Sequence, residues 1–408
     1  MKESWCGLDW ASRSHAVCVV EETGRVRARF EVSNTGKSFA GLIKRLRKLK
    51  VTGIGIERPD GPLVEAMLEA GLVVYVIAPS MLKAVRARFG AAGAKSDPGD
   101  AFVLADLLRT DHHRLAPLVP DGSATKGLRA STRSLRVRVS ARRPLVEARV
   151  ALTNQLEAQL HVCFPGAVGL FADLHSAVAA AFLRRYPTAS RAAKLTEARL
   201  AGFLRRIAYS GRTPVPELLR RIREAPAATL GAEEDEARAT CVLALIDAIE
   251  TCQSRAKELE ADVVERLEVH ADAQIFTSLP RAGRGVRAAS LLAEIGDVRD
   301  RFPDAESLIS LAGAAPVTRA SGKHRSVNFR WACDKKLRQA VVDFADDSRR
   351  ASPWAADIYQ RAVDRGCTHP HAVRILARAW LRVIWRCWQD HTPYDVAKHR
   401  GAVMLVAA

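Results

Sequence analysis

Hydrophobic alternation between residues 5 and 109 constrains the fold more than any other feature of this 408-residue sequence. Period-two segments come first and predict three strands in succession, at Trp5–Trp10, Ala16–Glu22 and Arg25–Val32. Further along the segment, helical patterns alternate with strand patterns. The predicted helices are Ser38–Lys50, Pro62–Ala70, Met81–Phe89 and Asp97–Arg109, and the strands between them are Gly53–Glu57 and Val73–Ile77. The segment is therefore predicted to be an α/β domain.

Three strands followed by alternating helices and strands is the element order of an RNase H-like fold. We assign this fold to residues 1–118. A doubly wound nucleotide-binding sheet is the competing fold, but the sequence contains no GxGxxG or GxxxxGK[ST] motif to accompany it.

Four carboxylates lie at the termini of these elements. Asp9 is near the end of the first strand, and Glu57 ends a Gly-Ile-Gly-Ile-Glu strand whose isoleucines point to the opposite face. Asp97 and Asp100 are three residues apart at a helix start, so both project toward one side. Carboxylates brought together repel each other unless a divalent cation neutralises them, and oxygen ligands suit Mg²⁺ or Mn²⁺. Such ions can hold the attacking and leaving oxygens of a phosphodiester.

Each of these carboxylates also has a structural explanation. Asp97-Pro-Gly-Asp100 can be an N-cap, a proline at the first helical position and an acidic residue in the first turn. Asp9 alone can be a turn residue at a strand end. The four residues taken as a set, in order on the expected elements, favour the metal site.

Residues from about 119 to 270 have no strand pattern and are rich in Ala, Leu, Arg and Glu. Apolar residues recur there at steps of three and four, at Val242, Leu245, Ile249, Cys252, Ala256, Leu259 and Val263. This spacing is typical of a coiled-coil seam. An antiparallel helical hairpin within one chain and dimerisation both explain it. We expect a helical coiled-coil region at 119–270 and a mostly helical domain at 271–408.

The formal net charge of +18 predicts a polyanionic partner. A membrane is disfavoured because no apolar run is long enough to span one. The eight cysteines include no CxxC pair, which fits a reducing cytoplasm better than a disulfide framework or a zinc site. Nucleic acid is therefore the expected partner.

Two basic segments are candidates for phosphate binding. One helix face carries four arginines with almost no acidic residue at i±4 before Glu147: Arg129, Arg133, Arg136 and Arg143. The turn Pro280-Arg-Ala-Gly-Arg-Gly-Val286 can present backbone amides together with Arg281 and Arg284. The alternatives are a solvated helix face and a plain turn between a strand and a helix.

Ser321 is a candidate nucleophile in the predicted loop Gly313–Asn328. Gly322 permits the close approach of a backbone phosphate, and the cationic neighbours are Arg319, Lys323, His324 and Arg325. A hydroxyl in a positive field can attack a phosphodiester once it is activated. The alternative is an ordinary turn serine, and Ser326 is the second candidate nucleophile.

These motifs together resemble the DEDD transposases of the insertion-sequence 110 family, the bridge-RNA-guided recombinases. The resemblance is carried by Gly7–Ser12, Ile56–Gly61, Ala78-Pro79, Lys95–Ala101, Leu279–Gly296, Leu311–Pro316 and Ser321-Gly322. The KxDxxDA run at 95–101 is the most specific of them. Both ends of the chain match well and the helical middle only loosely. One departure is Pro280–Gly285, where the family usually has a PGIG-type turn.

The resemblance implies a RuvC-like N-terminal domain whose metal-binding set is Asp9, Glu57, Asp97 and Asp100. It implies that Ser321, in a C-terminal transposase domain, becomes covalently joined to DNA. Each active site would combine the two domains from different protomers of a dimer or tetramer. The implied partners are donor DNA, target DNA and a structured non-coding guide RNA, in a bacterial-type cytoplasm at the nucleoid.

The expected function is therefore an RNA-guided DNA transposase that cuts and rejoins strands. A RuvC-like junction nuclease with water as the nucleophile is one alternative, and a covalent protein–DNA intermediate would exclude it. A non-enzymatic nucleic-acid-binding protein is the other. Loss of binding, rather than loss of strand exchange, on carboxylate replacement would favour that alternative.

Overall fold

The computed structural model describes residues 3–89, 96–119, 129–226, 229–283, 285–322 and 324–399, with the backbone alone at 129–131 and 324. The chain forms two compact units, Met1–Pro120 and Asp121–Ala408. The first is a mixed α/β unit and the second is mostly helical, in agreement with the coarse organisation predicted from the sequence.

Five strands form the sheet of the first unit: β1 (Ser4–Asp9), β2 (Ser14–Glu21), β3 (Val26–Ser33), β4 (Val51–Ile56) and β5 (Val74–Val76). Their order across the sheet is β3-β2-β1-β4-β5. The first three strands pair antiparallel, whereas β1–β4 and β4–β5 pair in parallel. This mixed topology is compatible with an RNase H-like domain.

Four helices cover the sheet: α1 (Gly36–Lys48), α2 (Pro62–Glu69), α3 (Pro79–Arg86) and α4 (Asp97–Asp111). Strands that pair in parallel need crossover connections. Here α1 lies in the connection that leads to β4, and α2 connects β4 to β5. Both faces of β1 are buried. Cys6 and Leu8 pack in the core with α1 and α2, and Trp5 packs in the core with α4.

Two long helices dominate the first part of the second unit, α5 (Arg129–Cys163) and α10 (Ala232–Glu268). They run antiparallel, since Arg142 Nη2 lies 3.0 Å from Glu260 Oε2 while Arg238 Nη1 lies 3.1 Å from Gln159 Oε1. Along α10, buried positions recur at seven-residue steps, at Val242, Ile249, Ala256 and Val263. Four of the seven positions predicted from the sequence are therefore buried within one chain, whereas Leu245, Cys252 and Leu259 are half-buried. This burial is compatible with the antiparallel hairpin and does not test dimerisation.

Shorter helices complete the second unit. Four of them pack near the Cys163 end of α5: α6 (Ala177–Arg185), α7 (Ala189–Ala192), α8 (Glu197–Arg206) and α9 (Val215–Glu224). A separate core, with Trp380 and Trp388 fully buried, is built from α11 (Ala273–Thr277), α12 (Val286–Ile295), α13 (Ala305–Leu311), α14 (Lys335–Ser348), α15 (Pro353–Asp364) and α16 (His369–Gln389). Among the described residues, no helix is long and apolar enough to cross a membrane.

A β-hairpin replaces most of the loop that was predicted at Gly313–Asn328. Strands β6 (Val317–Ser321) and β7 (His324–Asn328) pair antiparallel. The loop prediction was wrong because both strands are polar and mostly exposed, so they lack the apolar alternation by which strands are recognised. The segment before the Pro280–Gly285 turn is also helical rather than extended, since α11 precedes it.

Candidate active site

Asp9 and Glu57 lie at one edge of the sheet, on neighbouring strands. Asp9 is the last residue of β1, and Glu57 follows the last residue of β4. The strands run parallel, and Leu8 pairs with Ile56 one position earlier. Neighbouring strands are about 4.8 Å apart, so the backbones of the two acidic residues lie close together. By strand alternation both side chains belong to the face that α4 covers.

Two glycines allow α4 to cross that face at short range. A Cβ atom on Gly7 would lie 2.0 Å from the carbonyl oxygen of Ala101, and one on Gly55 would lie 3.1 Å from that of Leu104. The two glycines are register partners on β1 and β4. The helix therefore packs directly on the backbone of both strands that carry the acidic residues.

The direction of α4 brings its N-terminus to the same edge. Trp5, near the start of β1, stacks on His112, which follows the end of α4, with ring centroids 4.3 Å apart. Ala101, near the start of the helix, lies over Gly7 further along the strand. The helix is thus antiparallel to β1, and its first turn lies toward the strand ends that carry Asp9 and Glu57.

Asp97 and Asp100 occupy this first turn of α4. Asp97 is exposed, whereas Asp100 is only 4% exposed. The N-cap is Ser96, whose hydroxyl accepts a hydrogen bond from the Gly99 amide at 3.3 Å. The interpretation of Asp97 as the N-cap is therefore wrong, and capping does not explain its carboxylate.

Arg86 holds the buried carboxylate of Asp100. Nε and Nη2 of this α3 residue lie 2.8 and 2.6 Å from Asp100 Oδ1. Removing one partner of a buried ion pair typically costs about 3–5 kcal/mol, because it leaves an uncompensated charge. Arg86 did not emerge from the sequence, since nothing in its spacing links it to a carboxylate on the next helix.

We call Asp9, Glu57, Asp97 and Asp100 the acidic set. Their carboxylate oxygens are suitable ligands for a hard divalent cation, and their backbones lie toward one edge of the sheet. Its side chains are not gathered as a complete ligand shell. Among the described residues, no three His, Cys, Asp or Glu side chains stand close enough to hold an ion. Both Arg86 contacts are made to Oδ1 of Asp100, so one oxygen of this carboxylate is committed to the ion pair.

We expect Gly7→Ala to destabilise the protein by about 3 kcal/mol, the upper end for overpacking, because the added methyl meets the α4 backbone. Urea unfolding followed by circular dichroism measures the effect. Gly36→Ala is the matched control, since a Cβ atom at Gly36 in α1 meets no atom within 4 Å. Equal unfolding midpoints for Gly7→Ala and the parent would contradict the close crossing of α4 over β1.

Ser321 is exposed at the tip of the β6–β7 hairpin, where it pairs with His324 across the turn. Gly322 in the turn has a φ of 55°, a left-handed conformation that suits glycine. Arg319 and Ser326 are register partners and lie on the same hairpin face as Ser321. Within the described part of the chain the Ser321 hydroxyl makes no hydrogen bond, whereas Ser326 Oγ accepts one from Asn328 at 3.0 Å. The Lys323 position lies outside the described residues.

The arginine face of α5 is partly engaged within the chain. Arg136 Nε donates to the Ala293 carbonyl at 2.6 Å, and Arg143 Nε donates to Glu147 at 2.7 Å. Arg133 also has a partner. The Arg129 side chain lies outside the described residues.

Neighbouring arginines of α5 find acidic partners on α10, where Arg138 pairs with Asp262 and Arg142 with Glu260. The Arg138 guanidinium holds the pKa of Asp262 below its usual value. Arg138 and Arg142 thus find acidic partners outside the i±4 positions that the sequence argument considered. Their partners are more than 100 positions away in sequence, so the i±4 rule could not find them.

The Pro280–Gly285 turn places Arg281 in the left-handed region, with a φ of 64°. Glycine normally takes this conformation, so the departure from the PGIG pattern puts a side chain on a strained backbone. Arg281 Nε donates to Asp347 Oδ2 at 3.1 Å, and Arg287 Nη1 lies 2.8 Å from the same oxygen. The Arg281 hydrogen bond, with the charge of Arg287, lowers the pKa of Asp347. The Arg284 position lies outside the described residues.

Comparison with known proteins assigns both units to one family. A family model described as "Transposase" matches residues 6–165, which include all four carboxylates. A second, described as "Transposase IS116/IS110/IS902 family", matches residues 273–360, which include Ser321. The mini-circle putative transposase for IS117 from Streptomyces coelicolor is 34% identical over 421 aligned residues, covering 99% of this chain and 98% of that protein. The chain belongs to the IS110 family of DEDD transposases.

Other IS110-family relatives extend the match over most of the chain. The 42 kDa protein of insertion element IS900 from Mycobacterium paratuberculosis is 27% identical and covers 98% of both chains. The 43.6 kDa protein of IS110 from Streptomyces coelicolor is 29% identical, over 74% of this chain and 72% of its own length. The family resemblance inferred from the motifs is thus confirmed. DEDD transposases generally depend on a divalent metal, and DNA is the partner of a transposase.

Proposed function

We propose that this IS110-family transposase is an RNA-guided recombinase that cuts and rejoins donor and target DNA through a metal-binding acidic set and a serine nucleophile. The observation that carries the proposal is the convergence of β1, β4 and the first turn of α4 at one sheet edge. The proposed DEDD set lies on these elements: Asp9 ends β1, Glu57 follows β4, and the first turn of α4 carries Asp97 and Asp100.

The acidic set would hold Mg²⁺ or Mn²⁺, and the bound ion would supply charge stabilisation to a phosphodiester under attack. Asp97 is the accessible member, because it is exposed and Ser96 takes the capping role. Asp100 is the buried member, and it is held by Arg86 through Oδ1. Arg86 thereby fixes the position of the fourth carboxylate in the first turn of α4.

Ser321 is the proposed nucleophile. Its oxygen would attack the phosphorus of a DNA strand, form a phosphoseryl bond and displace one sugar oxygen, which takes up a proton. Attack by a sugar hydroxyl of the second strand would then restore a phosphodiester and release the serine. One phosphate ester replaces another at each step, so no external energy source is needed. The exposed position of Ser321 at the hairpin tip leaves its hydroxyl accessible to DNA.

Phosphate binding is assigned to the basic residues predicted from the sequence. Arg319, on the same hairpin face as Ser321, and Arg143 of α5 are both exposed. Arg281 joins them at the strained turn, where Asp347 and Arg287 are its neighbours. The remaining members of the proposed set are Arg129, Arg133, Arg136, Arg284 and Lys323.

We assign three functional regions, at 1–118, 119–270 and 271–408, of which the middle is the helical coiled-coil region. A homo-oligomer, a dimer or tetramer, would assemble each active site from the acidic set of one protomer and the serine of another. The proposed location is the bacterial cytoplasm at the nucleoid.

The most direct test of the proposed function is whether the protein binds a guide RNA and needs it for strand exchange. We expect the purified protein to retain a structured RNA, with segments complementary to both recombined DNA sites. Sequencing the co-purified RNA identifies it, and strand exchange should be lost after RNase treatment and restored by that RNA alone. A scrambled RNA of equal length is the control. Strand exchange that survives complete RNA removal would contradict RNA guidance.

A further inference from the structure

An aromatic pair lies just after the β6–β7 hairpin, at the end opposite Ser321. Trp331 is 77% exposed, although tryptophan has the largest side chain of the common amino acids. Phe329 supports it edge-on, with ring centroids 4.9 Å apart and an interplanar angle of 87°. In such a pair the edge of one ring meets the face of the other, which fixes the indole in place. With 77% of Trp331 exposed, most of the indole is accessible to a flat partner.

Two arginines gather around the supporting ring. The guanidinium carbons of Arg338, on α14, and Arg374, on α16, lie 5.0 and 4.7 Å from the Phe329 ring centroid. Cation–π contact with Phe329 provides part of the stabilisation that two like charges need.

These two charges have no carboxylate partner within the described part of the chain, where neither arginine forms an ion pair. Arg338 Nη1 is also buried without a hydrogen-bond partner there. Burial, and after it the charge of Arg338, lowers the pKa of Arg374. By contrast Arg378, one turn further along α16, pairs with Glu306. An anion beside the two guanidinium groups would relieve the repulsion between them.

The geometry points to a DNA-binding surface, the Trp331 surface, which holds an unpaired base against the indole and a backbone phosphate beside the two guanidinium groups. Its members are Phe329, Trp331, Arg338 and Arg374. Aromatic stacking combined with uncompensated positive charge is the combination by which proteins hold single-stranded nucleic acid. The inference rests on the proposed function, in that the strand is taken to be the DNA that Ser321 attacks.

The hairpin fixes how far this surface stands from Ser321. Val317 pairs with Asn328 at the base, and Ser321 pairs with His324 at the tip. Four residues of a strand span about 14 Å. The Trp331 surface would therefore hold the strand a few nucleotides from the phosphate under attack and keep a separated strand from pairing again.

The test uses fluorescence anisotropy of the full-length protein with a dye-labelled single-stranded oligodeoxynucleotide at several salt concentrations. Trp331→Ala is expected to raise the Kd about tenfold, in line with the loss of one stacked base, with an unchanged salt slope. Trp331→Phe should retain most of the affinity. Arg338→Gln or Arg374→Gln should lower the salt slope by about one, because each loses a phosphate contact. Val269→Ala is the matched control, since Val269 is a 73% exposed apolar residue in the loop after α10.

Several results would overturn the Trp331 surface. These are an unchanged Kd for Trp331→Ala, a loss confined to an RNA oligonucleotide of the same sequence, or a changed oligomeric mass with unchanged DNA affinity. If the Ser321 adduct forms while Trp331→Ala binds as well as the parent, the surface fails and the proposed function stands. If no adduct forms while Trp331→Ala weakens binding tenfold, the serine mechanism fails and the surface stands.

Discussion

Ser321→Ala is expected to abolish the covalent protein–DNA adduct and to lower the rate of strand exchange by at least about 10³-fold, because no other hydroxyl replaces a missing nucleophile efficiently. Protein, RNA and a nicked DNA substrate that traps the intermediate are mixed, denatured and digested. Mass spectrometry should then find DNA on the peptide that contains Ser321. DNA binding should persist, since the variant loses one exposed hydroxyl that makes no hydrogen bond among the described residues.

Ser326→Ala is the matched control for this experiment. Ser326 lies on the same face of the hairpin, opposite Arg319, but its hydroxyl already accepts a hydrogen bond from Asn328. It should exchange strands at nearly the parental rate. An adduct on Ser326, or full recombination by Ser321→Ala, would refute the serine assignment. The second outcome favours a junction nuclease that uses water as its nucleophile.

The first unit follows from its sequence because its elements have strong local signals. The helix predicted at Pro62–Ala70 is Pro62–Glu69, and the strand predicted at Trp5–Trp10 is Ser4–Asp9. Each is buried on at least one face, so the periodicity of its apolar residues indicates which face packs in the core. The same reasoning failed at β6 and β7, because their residues are mostly exposed and show no apolar alternation.

Features of the site that depend on distant residues were not predictable. Arg86 and Asp100 lie on successive helices, and their ion pair depends on how α3 packs against α4. In the sequence Trp331 is not distinguished from the other aromatic residues. Its exposure, and the two arginines near Phe329 that form no ion pair among the described residues, are the observations that support the proposed DNA contact. The acidic set could be predicted in part. The strands and the helix that carry it have local sequence signals, whereas their convergence depends on the glycines over which α4 packs.

We expect the carboxylates of the acidic set to be required for strand exchange but not for nucleic-acid binding. Asp9→Asn, Glu57→Gln and Asp97→Asn should each lower strand exchange by at least about 10³-fold while RNA and DNA binding stay within a few-fold of the parent. Metal chemistry needs the charge of each carboxylate, whereas basic residues elsewhere do the binding. Recombination of a plasmid substrate and filter binding measure the two properties separately. Parental rates in two of these variants would refute the metal site.

Asp100→Asn needs a different control, because it also removes the partner of Arg86 and should destabilise the first unit. Asp106 provides it. This residue is 6% exposed on the same helix and pairs with Arg109 at 2.7 Å, but it lies toward the opposite end of α4. Asp106→Asn should destabilise the protein to a similar extent and leave strand exchange within a few-fold of the parent at a temperature where both variants are folded. If both variants lose exchange equally, Asp100 has a structural role only. If Asp100→Asn alone loses it, the fourth carboxylate acts at the metal.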